Sequence, residues 1–353
     1  HDMQAVLQGQ ARQQLVLSYP KQSDDYACLP SQLLSAFPVL DDTPFNLTEQ
    51  PLIEFKSLET LTQDQAPPTH ADEKIKGGSA IFKQQAACPF RAFAQFRLQA
   101  ESIVQPSLGL TAAERGILVH QALEMFWQQV RSHQQLCAMS PQLLTSTLRN
   151  LIKQAIDDQL GSLELPARIL ATEETRLMEL FDRWLMIEKS REPFTVVAEE
   201  RWQSITVGGI PLRLQIDRID KLTDGSYIII DYKTGLTNLM SWFGERPDDL
   251  QLPLYASANR KNLSGLYFAQ IRADKMCFKG LSQVSDQLPG AKTLEDLDES
   301  SEMTWEDQLD DWQMVLTQLG DDFHAGMAEI DPKYGPATCQ YCEYHSLCRI
   351  HEQ

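Results

Sequence analysis

The sequence predicts a mixed α/β fold, in which helices are followed by an antiparallel β-meander and then by a further helix and strand. Three observations lead to this prediction. Apolar residues recur at helical spacing between 79 and 190, and β-rich segments separated by turn residues occupy 194–235. A third region, 248–273, combines a helical pattern with an apolar strand pattern. Helices and antiparallel strands that segregate along the chain are typical of this class.

The helices are predicted from apolar spacing and capping signals. Segment 79–100 spaces Phe, Ala and Leu helically, with Ser79 as a candidate cap. Segment 111–130 begins with T-x-x-E, a capping box formed by Thr111 and Glu114. Further helices are expected near 141–160, 168–190, 248–260 and 305–326.

The strands are predicted from alternation and from turn residues. A Gly-Gly turn at 208–209 separates two long β-rich segments, and Thr223-Asp224-Gly225 separates the second from "SYIIIDYKTG". The three isoleucines of that segment predict a buried strand. The acidic stretch 281–311 is expected to be a solvated loop. The strands are expected at 194–206, 210–222, 226–235 and 264–273.

Composition bounds the organisation of the chain. Its 353 residues, 42% hydrophobic, suffice for one large domain or two ordinary ones. Residues 1–75 are expected to be an appendage or linker, with "LVLSYP" as a short strand, "PSQLLSAFP" as one or two helical turns and "LTQDQAPPTH" as linker. Residues 76–353 are expected to form the main domain.

Several functional classes are disfavoured by composition. No apolar run approaches the ~20 residues of a membrane helix, so no membrane association is expected. The net charge of -18 argues against a generic nucleic-acid coat protein. An odd count of seven cysteines without a secretion signal indicates a reducing compartment, the cytoplasm.

The hairpin before and after residues 223–225 carries the most informative charges. If its loop has three residues with Gly225 left-handed, Asp217 lies opposite Asp231, and Lys233 shares their face. A two-residue Asp-Gly loop would instead put the two aspartates on opposite faces. The functional interpretation therefore predicts the three-residue loop.

Two adjacent carboxylates repel unless a cation lies between them or one is protonated. Oxygen ligands on rigid strands suit Mg²⁺ or Mn²⁺, and Lys233 could hold a water molecule and a phosphate oxygen. The alternative is an ordinary half-exposed hairpin with surface ion pairs, Asp231 to Arg218 or Lys233 to Asp217.

A second group of candidate ligands is the pattern C-x2-C-x5-C at Cys339, Cys342 and Cys348. A closed metal site needs a fourth ligand, for which Cys88 is the candidate. Spacing alone does not separate zinc from an iron–sulfur cluster, and His345 could substitute for a cysteine in a zinc site.

The ordered motifs resemble the PD-(D/E)XK nuclease superfamily and, more narrowly, its RecB/AddB-type branch that carries an iron–sulfur cluster. The resemblance covers residues 77–350 and rests on five motifs in the family's order. These are "GILVHQALEMFW", "LQIDRID", "IIDYKTG", "QLPLY" and the C-terminal cysteines.

The resemblance implies a role for each motif residue. Asp217, Asp231 and the backbone carbonyl of Tyr232 would bind the metal, with His120 as a further ligand. Lys233 would help to activate water. The helix residues Gln251 and Tyr255 would shape the site or touch the DNA strand. Two more carboxylates on the preceding strand could join the site, Glu199 or Glu200.

The resemblance also implies a restriction-endonuclease-like core, with a central mixed sheet flanked by helices, and a structural [4Fe–4S] cluster held by the four cysteines. The implied activity is that of a Mg²⁺- or Mn²⁺-dependent deoxyribonuclease, an exonuclease domain of a bacterial double-strand-break repair and recombination protein. Residues 1–75 would remain from an upstream helicase-like region, and partners would be DNA ends and a helicase-like region or subunit.

The alternative function is a catalytically inactive DNA-binding or scaffolding subunit of a helicase–nuclease complex. In either case the acidic chain needs a local basic patch to hold DNA. The candidates are Lys83, Arg91, Arg97, Arg213 and Arg218.

Overall fold

The computed structural model describes most of the chain, which divides into two units, His1–Leu61 and Thr62–Gln353. The described residues are 17–23, 26–34, 37–38, 66–70, 75–101, 109–161, 165–300 and 302–350. Side chains of residues 23, 33 and 198–203 are not among them.

The first unit contains a short hairpin of β1 (Gln22–Ser23) and β2 (Tyr26–Ala27), followed by a 3-10 turn at Gln32–Leu34. That turn lies within the predicted helical segment "PSQLLSAFP". Of the predicted strand "LVLSYP", residues 17–20 lack regular structure and 15–16 lie outside the described residues.

The second unit contains the predicted succession of helices and strands. Its helices are α1 (Ser79–Ala87), α2 (Pro89–Ala92), α3 (Ala112–Gln129), α4 (His133–Ala138), α5 (Pro141–Leu160), α6 (Ala167–Lys189), α7 (Gln251–Ala258), α8 (Trp305–Ala325), α9 (Pro336–Cys339) and α10 (His345–Cys348). Its strands are β3 (Phe194–Val207), β4 (Ile210–Leu222), β5 (Tyr227–Lys233), β6 (Leu263–Ile271), β7 (Met276–Ser282) and β8 (Ala291–Lys292).

The six strands form one mixed sheet in the order β3-β4-β5-β6-β7-β8. The pairs β3–β4, β4–β5 and β6–β7 are antiparallel, whereas β5–β6 and β7–β8 are parallel. The parallel pair β5–β6 is joined through α7, as a parallel pair requires a crossover connection. The mixed α/β prediction is confirmed.

Helices cover both faces of the sheet and create two apolar cores. One core contains buried residues of α3, α5 and α6 together with Ile228 and Ile230 of β5. The other contains buried residues of α1, α7 and α8 together with Ile229. Each isoleucine of β5 is completely buried, because successive side chains enter opposite cores.

The β4–β5 hairpin has the three-residue loop that the functional interpretation requires. Arg218 pairs with Ile230 and Lys221 with Tyr227, and the N–H of Leu222 donates to the carbonyl of Ser226 at 2.9 Å. Gly225 has φ 88°, the left-handed conformation that glycine adopts without steric cost. The same register, continued by one pair, places Asp217 opposite Asp231.

The predicted single helix over 79–100 is wrong, because the chain breaks at Cys88. Cys88 has an extended backbone, φ -169° and ψ 121°, and the helix resumes as α2 and a π-helical segment, Phe93–Arg97. Pro89 explains the break, since proline disfavours the α conformation of the residue before it. Ser79 is the first helical residue rather than the cap.

Other helix signals were accurate. Thr111 and Glu114 form both hydrogen bonds of a capping box at the start of α3. Pro253 is the third residue of α7, within the first turn, where it removes no intrahelical hydrogen bond. Strand β7 was missed, and the predicted acidic loop is interrupted by β8 before α8 begins. None of the described helices combines the length and apolarity needed to cross a membrane.

The loop conformation at Gly225 can be tested by two substitutions. A Cβ at this position would meet no atom within 4 Å, so any cost is backbone strain alone. We expect Gly225→Val to lower the free energy of unfolding by about 1–2 kcal/mol. Gly225→Asn should cost less, because asparagine tolerates the left-handed region. Urea unfolding of both variants measures the difference, and equal costs would contradict the loop geometry.

Candidate active site

The candidate site lies where β4 and β5 end, beside helix α3. Asp217 of β4 accepts a hydrogen bond from the backbone N–H of Tyr232 at 2.8 Å, which ties the carboxylate to the neighbouring strand. Its Oδ2 also lies 3.1 Å from His120 Nδ1 on α3. The structure thus brings together two motifs that are almost a hundred residues apart in the sequence.

The contact with Asp217 controls the charge of His120. Burial disfavours the imidazolium ion, but the charge of Asp217, its hydrogen bond to the ring and the charge of Asp231 outweigh burial and raise the pKa of His120. The ring also packs edge-on against Tyr232, with centroids 5.9 Å apart. His120 is therefore held by one carboxylate and one aromatic ring.

Asp231 is the most constrained carboxylate of the site. It is completely buried, and its Oδ2 lies 2.7 Å from Lys233 Nζ. Neither of its oxygens has a well-directed hydrogen-bond donor among the described residues. Burial, followed by the charge of Asp217, raises the pKa of Asp231 to about 7, although Lys233 and His120 act in the opposite direction.

Lys233 joins the carboxylate to helix α7. Its Nζ donates to Gln251 Oε1 at 2.7 Å, and Gln251 Nε2 donates to the Tyr255 hydroxyl at 2.7 Å. The Tyr255 hydroxyl in turn donates to the backbone carbonyl of Gln215 on β4. This chain of hydrogen bonds explains the Q-x-x-x-Y spacing, because residues four apart share one face of a helix.

Lys233 remains an ammonium ion in this environment. Burial alone would lower the pKa of Lys233, but the charges of Asp231 and Asp249, with the hydrogen bond to Asp231, raise it. A permanently protonated lysine donates hydrogen bonds and supplies positive charge. It cannot accept a proton from water as it stands.

A cleft of about 790 Å³ opens beside the site, although Asp231 and Lys233 are not among the residues that line it. One wall is formed by α3, from Ala113 to Glu124, and the other by β4 and α7. The cleft is large enough to admit a sugar–phosphate chain. The site residues that line it are His120, Asp217, Gln251 and Tyr255.

The ion pairs of the alternative interpretation are not formed. Lys233 pairs with Asp231, and Arg218 pairs with Asp220 and Glu188. Arg218 is also completely buried, so its assignment to a DNA-contacting patch is wrong. Arg213, by contrast, lies on the cleft wall.

Sequence reasoning missed three contributors to the site. Asp249 accepts a hydrogen bond from the N–H of Gln251 at 3.2 Å and adds negative charge near Lys233. Gln121 and Glu124 follow His120 by one and four positions and line the same cleft. Helical spacing from His120 could have identified Glu124. The side chains of Glu199 and Glu200 lie outside the described part of the chain.

The four candidate cysteines also come together. Cys88, Cys339, Cys342 and Cys348 line one small cavity, which Arg91 and His345 border. Burial, then proximity to the other three cysteines, raises the pKa of Cys339, whereas Arg91 opposes this. The helix break at Cys88 is relevant to this cavity, because Cys88 directly precedes α2 and lines the cavity together with the C-terminal cysteines. The cavity joins parts of the chain 251 positions apart, from Cys88 to Cys339.

Neither the carboxylates of the site nor the four cysteines have the geometry of a metal-binding group in this structure. Among the described residues, no three His, Cys, Asp or Glu side chains form a group that could hold an ion. The carboxylates are instead engaged with His120 and Lys233. The donor chemistry nevertheless fits a hard cation at Asp217 and Asp231, since two carboxylates lie together there and, among the described residues, Lys233 is the only ion-pair partner of Asp231.

The raised pKa of Asp231 predicts how stability depends on pH without divalent ions. Between pH 4 and 7 the folded state binds more protons than the unfolded state, so the free energy of unfolding falls as pH rises. The raised pKa of His120 acts in the same direction. At pH 8 with chelator, Asp231→Asn should therefore be more stable than the wild type, by roughly 1–4 kcal/mol.

Denaturant unfolding at several pH values measures this effect. The control is Asp274→Asn, an exposed aspartate whose pKa is lowered by Arg272 and which should not gain stability. An Asp231→Asn variant less stable than the wild type at pH 8 would contradict the buried, unneutralised carboxylate.

Comparison with known proteins bears on the family of the chain. The model of the PD-(D/E)XK nuclease superfamily matches residues 81–349. No curated protein matches the chain. A solved structure that matches is the crystal structure of SSO0001, with 13% identity, coverage of 76% of this chain and 93% of that chain, and a TM-score of 0.26. With the family match spanning most of its length, the chain belongs to the PD-(D/E)XK nuclease superfamily.

Proposed function

We propose that the chain is a divalent-metal-dependent deoxyribonuclease that hydrolyses phosphodiester bonds. Members of the superfamily are generally nucleases and usually use divalent metal ions. The observation that carries the proposal is Asp231, a completely buried carboxylate beside Asp217 whose oxygens lack well-directed donors among the described residues. A divalent ion would offset the burial and the repulsion from Asp217 that raise the pKa of Asp231.

The residues have distinct tasks in this proposal. Asp217 and Asp231, with the carbonyl of Tyr232, would hold Mg²⁺ or Mn²⁺, and His120 would be a further ligand or a neighbour that orients Asp217. The ion would supply Lewis-acid stabilisation of charge on the phosphate. The ammonium group of Lys233, which pairs with Asp231, would donate to the phosphate or to the attacking water.

Helix α7 keeps Lys233 in position for that task. Gln251 accepts a hydrogen bond from the ammonium group, and Tyr255 fixes Gln251 by linking it to the backbone of β4. Because Lys233 remains charged, it acts as a hydrogen-bond donor and electrostatic stabiliser rather than as a base.

We further propose that residues 76–353 form the nuclease domain, and that it is an exonuclease of the RecB/AddB type in bacterial double-strand-break repair, acting in the cytoplasm on DNA ends with a helicase-like partner. The sequence motifs and the order in which they occur support this narrower assignment. The cleft beside the site is open, which is compatible with entry of a DNA end.

The four cysteines are proposed to bind a structural [4Fe–4S] cluster, with zinc as the less favoured occupant. Support comes from their shared cavity and from Arg91, whose charge would offset the negative thiolates. Such a cluster would tie the chain at Cys88 to its C-terminal segment and limit the conformations of the unfolded state.

Cleavage of linear single- and double-stranded DNA with Mn²⁺ tests the nuclease proposal. We expect Asp217→Ala, Asp231→Ala and Lys233→Ala each to reduce the rate by at least roughly a hundredfold, because each removes charge from the reacting centre. Lys221→Ala is the matched control, since Lys221 is exposed near the loop end of the same hairpin.

Two outcomes separate the enzyme from an inactive DNA-binding or scaffolding subunit. Rates that fall in the three site variants but not in Lys221→Ala support the enzyme. A wild type that binds Mn²⁺ and DNA but cleaves neither substrate supports the inactive subunit.

Anaerobic reconstitution with iron and sulfide tests the cysteine site. Wild type should acquire the broad visible absorbance of an iron–sulfur cluster and a higher melting temperature. Cys88→Ser should bind less iron and melt several degrees lower, because one of four ligands is lost. The control is Cys137→Ser, an exposed cysteine remote in sequence from the others. Equal iron content in the two variants would contradict the assignment of Cys88.

A further inference from the structure

Two arginines and two carboxylates are buried together on the opposite side of β4 from the site. They are Glu188 of α6, Arg191 after it, and Arg218 and Asp220 of β4, here called the charge ring. All four side chains have no exposed surface. Their charges cancel, so the ring is neutral as a whole.

Each arginine contacts both carboxylates. Arg218 donates to Asp220 Oδ1 at 2.6 Å and Oδ2 at 2.7 Å, and to Glu188 Oε1 at 2.8 Å. Arg191 donates to Glu188 Oε2 at 2.6 Å and Asp220 Oδ2 at 2.8 Å. These bonds close the ring and fix the position of each member relative to the other three.

Aromatic rings cover the two guanidinium groups. Arg218 lies 3.8 Å from the ring centroid of Trp127 on α3, and Arg191 lies 4.1 Å from that of Phe194 on β3. The stacking directions are fixed by the planar guanidinium groups. The ring thereby holds α3, α6, β3 and β4 in one arrangement.

Stability alone does not account for such a cluster. Removing four charges from water is costly, and apolar side chains of similar volume often serve equally well. Apolar contacts, unlike hydrogen bonds, have no preferred direction. The hydrogen bonds of the charge ring, in which each arginine binds both carboxylates, form in only one relative position of the helix and the strand that carry them. The distinctive effect of the ring is therefore on the relative position of these elements.

The ring and the candidate site use alternate residues of β4, and Tyr232 of β5 reaches the ring from between two site residues. Asp217 faces the site and Arg218 faces the ring. On β5, Asp231 and Lys233 belong to the site, and Tyr232 between them places its hydroxyl 3.3 Å from Arg218 Nη1. Arg218 therefore contacts a residue that lies directly between two residues of the site.

Tyr232 connects the two sides through further contacts. Its backbone N–H donates to Asp217, and its ring packs edge-on against His120. Trp127, which covers Arg218, lies two helical turns after His120 on α3. Trp127 on α3 and Tyr232 on β5 thus both contact Arg218.

We propose that Arg218 is a positioning residue for the nuclease site. Through Trp127 and Tyr232 it sets the relative positions of α3, β4 and β5, and hence of His120, Asp217 and Asp231. This inference rests on the proposed nuclease function. Arg191 belongs to the same ring but stacks on Phe194 and Phe278, so its effect on the site should be smaller.

Arg218→Lys and Arg191→Lys form the matched pair for the test. Both keep the charge and lose the planar fork, so both should lower the melting temperature to a similar extent. At a temperature where both are folded, Arg218→Lys should reduce kcat for DNA cleavage by roughly tenfold to a hundredfold, with little change in KM. Arg191→Lys should reduce kcat no more than about threefold. Equal losses of kcat in the two variants would overturn the proposal.

A second pair covers the case in which Arg218→Lys does not fold. Tyr232→Phe removes only the hydroxyl that contacts Arg218, and Tyr267→Phe removes a buried hydroxyl of β6 that donates to Gln287. Tyr232→Phe should reduce kcat several-fold and Tyr267→Phe should not. No difference between these variants would count against the proposal.

Mn²⁺ affinity, measured by calorimetry, separates failure of this inference from failure of the proposed function. If the wild type binds Mn²⁺ but cleaves no DNA, the nuclease proposal fails, and the Mn²⁺ affinity of the variants still tests whether Arg218 positions the site. The Mn²⁺ affinity should weaken in Arg218→Lys, or in Tyr232→Phe if Arg218→Lys does not fold. It should be unchanged in Arg191→Lys and Tyr267→Phe. A wild type without Mn²⁺ affinity overturns both proposals.

Discussion

The pairing of β4 with β5 is the constraint on which the rest of the site depends. Side chains alternate along a strand, so a slip of one residue would move Asp217 to the face opposite Asp231. The three-residue loop and the buried isoleucines exclude such a slip, because Ile228 and Ile230 fill one core and Ile229 fills the other. The apolar middle of the strand thereby holds its charged end in place.

The structure sustains two electrostatic environments on opposite sides of these strands. In the charge ring, each carboxylate has guanidinium partners, and the charges balance. In the candidate site, Asp231 is equally buried but, among the described residues, has only Lys233 at ion-pair distance, and repulsion from Asp217 adds to the cost. Superfamily members usually use divalent metal ions, and such an ion would correct this imbalance. In the proposed function, the charge ring supports the helices and strands, and the candidate site provides the chemistry.

Much of this arrangement could be predicted from local sequence patterns. The loop residues Thr223-Asp224-Gly225 fix the hairpin register, and the spacing of Gln251 and Tyr255 places both on one face of α7. The break at Cys88 is also encoded locally by Pro89, although the helical spacing of apolar residues continues across it. The charge ring was not readable. Arg218 and Glu188 are 30 positions apart, and only the packing of α6 against the sheet brings them together. The residues next to a charged strand position do not reveal whether an opposite charge, distant in the sequence, is buried against it.

The central claim is that Asp217 and Asp231 share one divalent ion. A crystal structure of the wild-type protein with Mn²⁺, phased at the manganese absorption edge, tests it most directly. We expect an anomalous peak within coordination distance of both carboxylates, with the ammonium group of Lys233 displaced from Asp231. A map without a peak between the two carboxylates, with Lys233 still paired to Asp231, would contradict it.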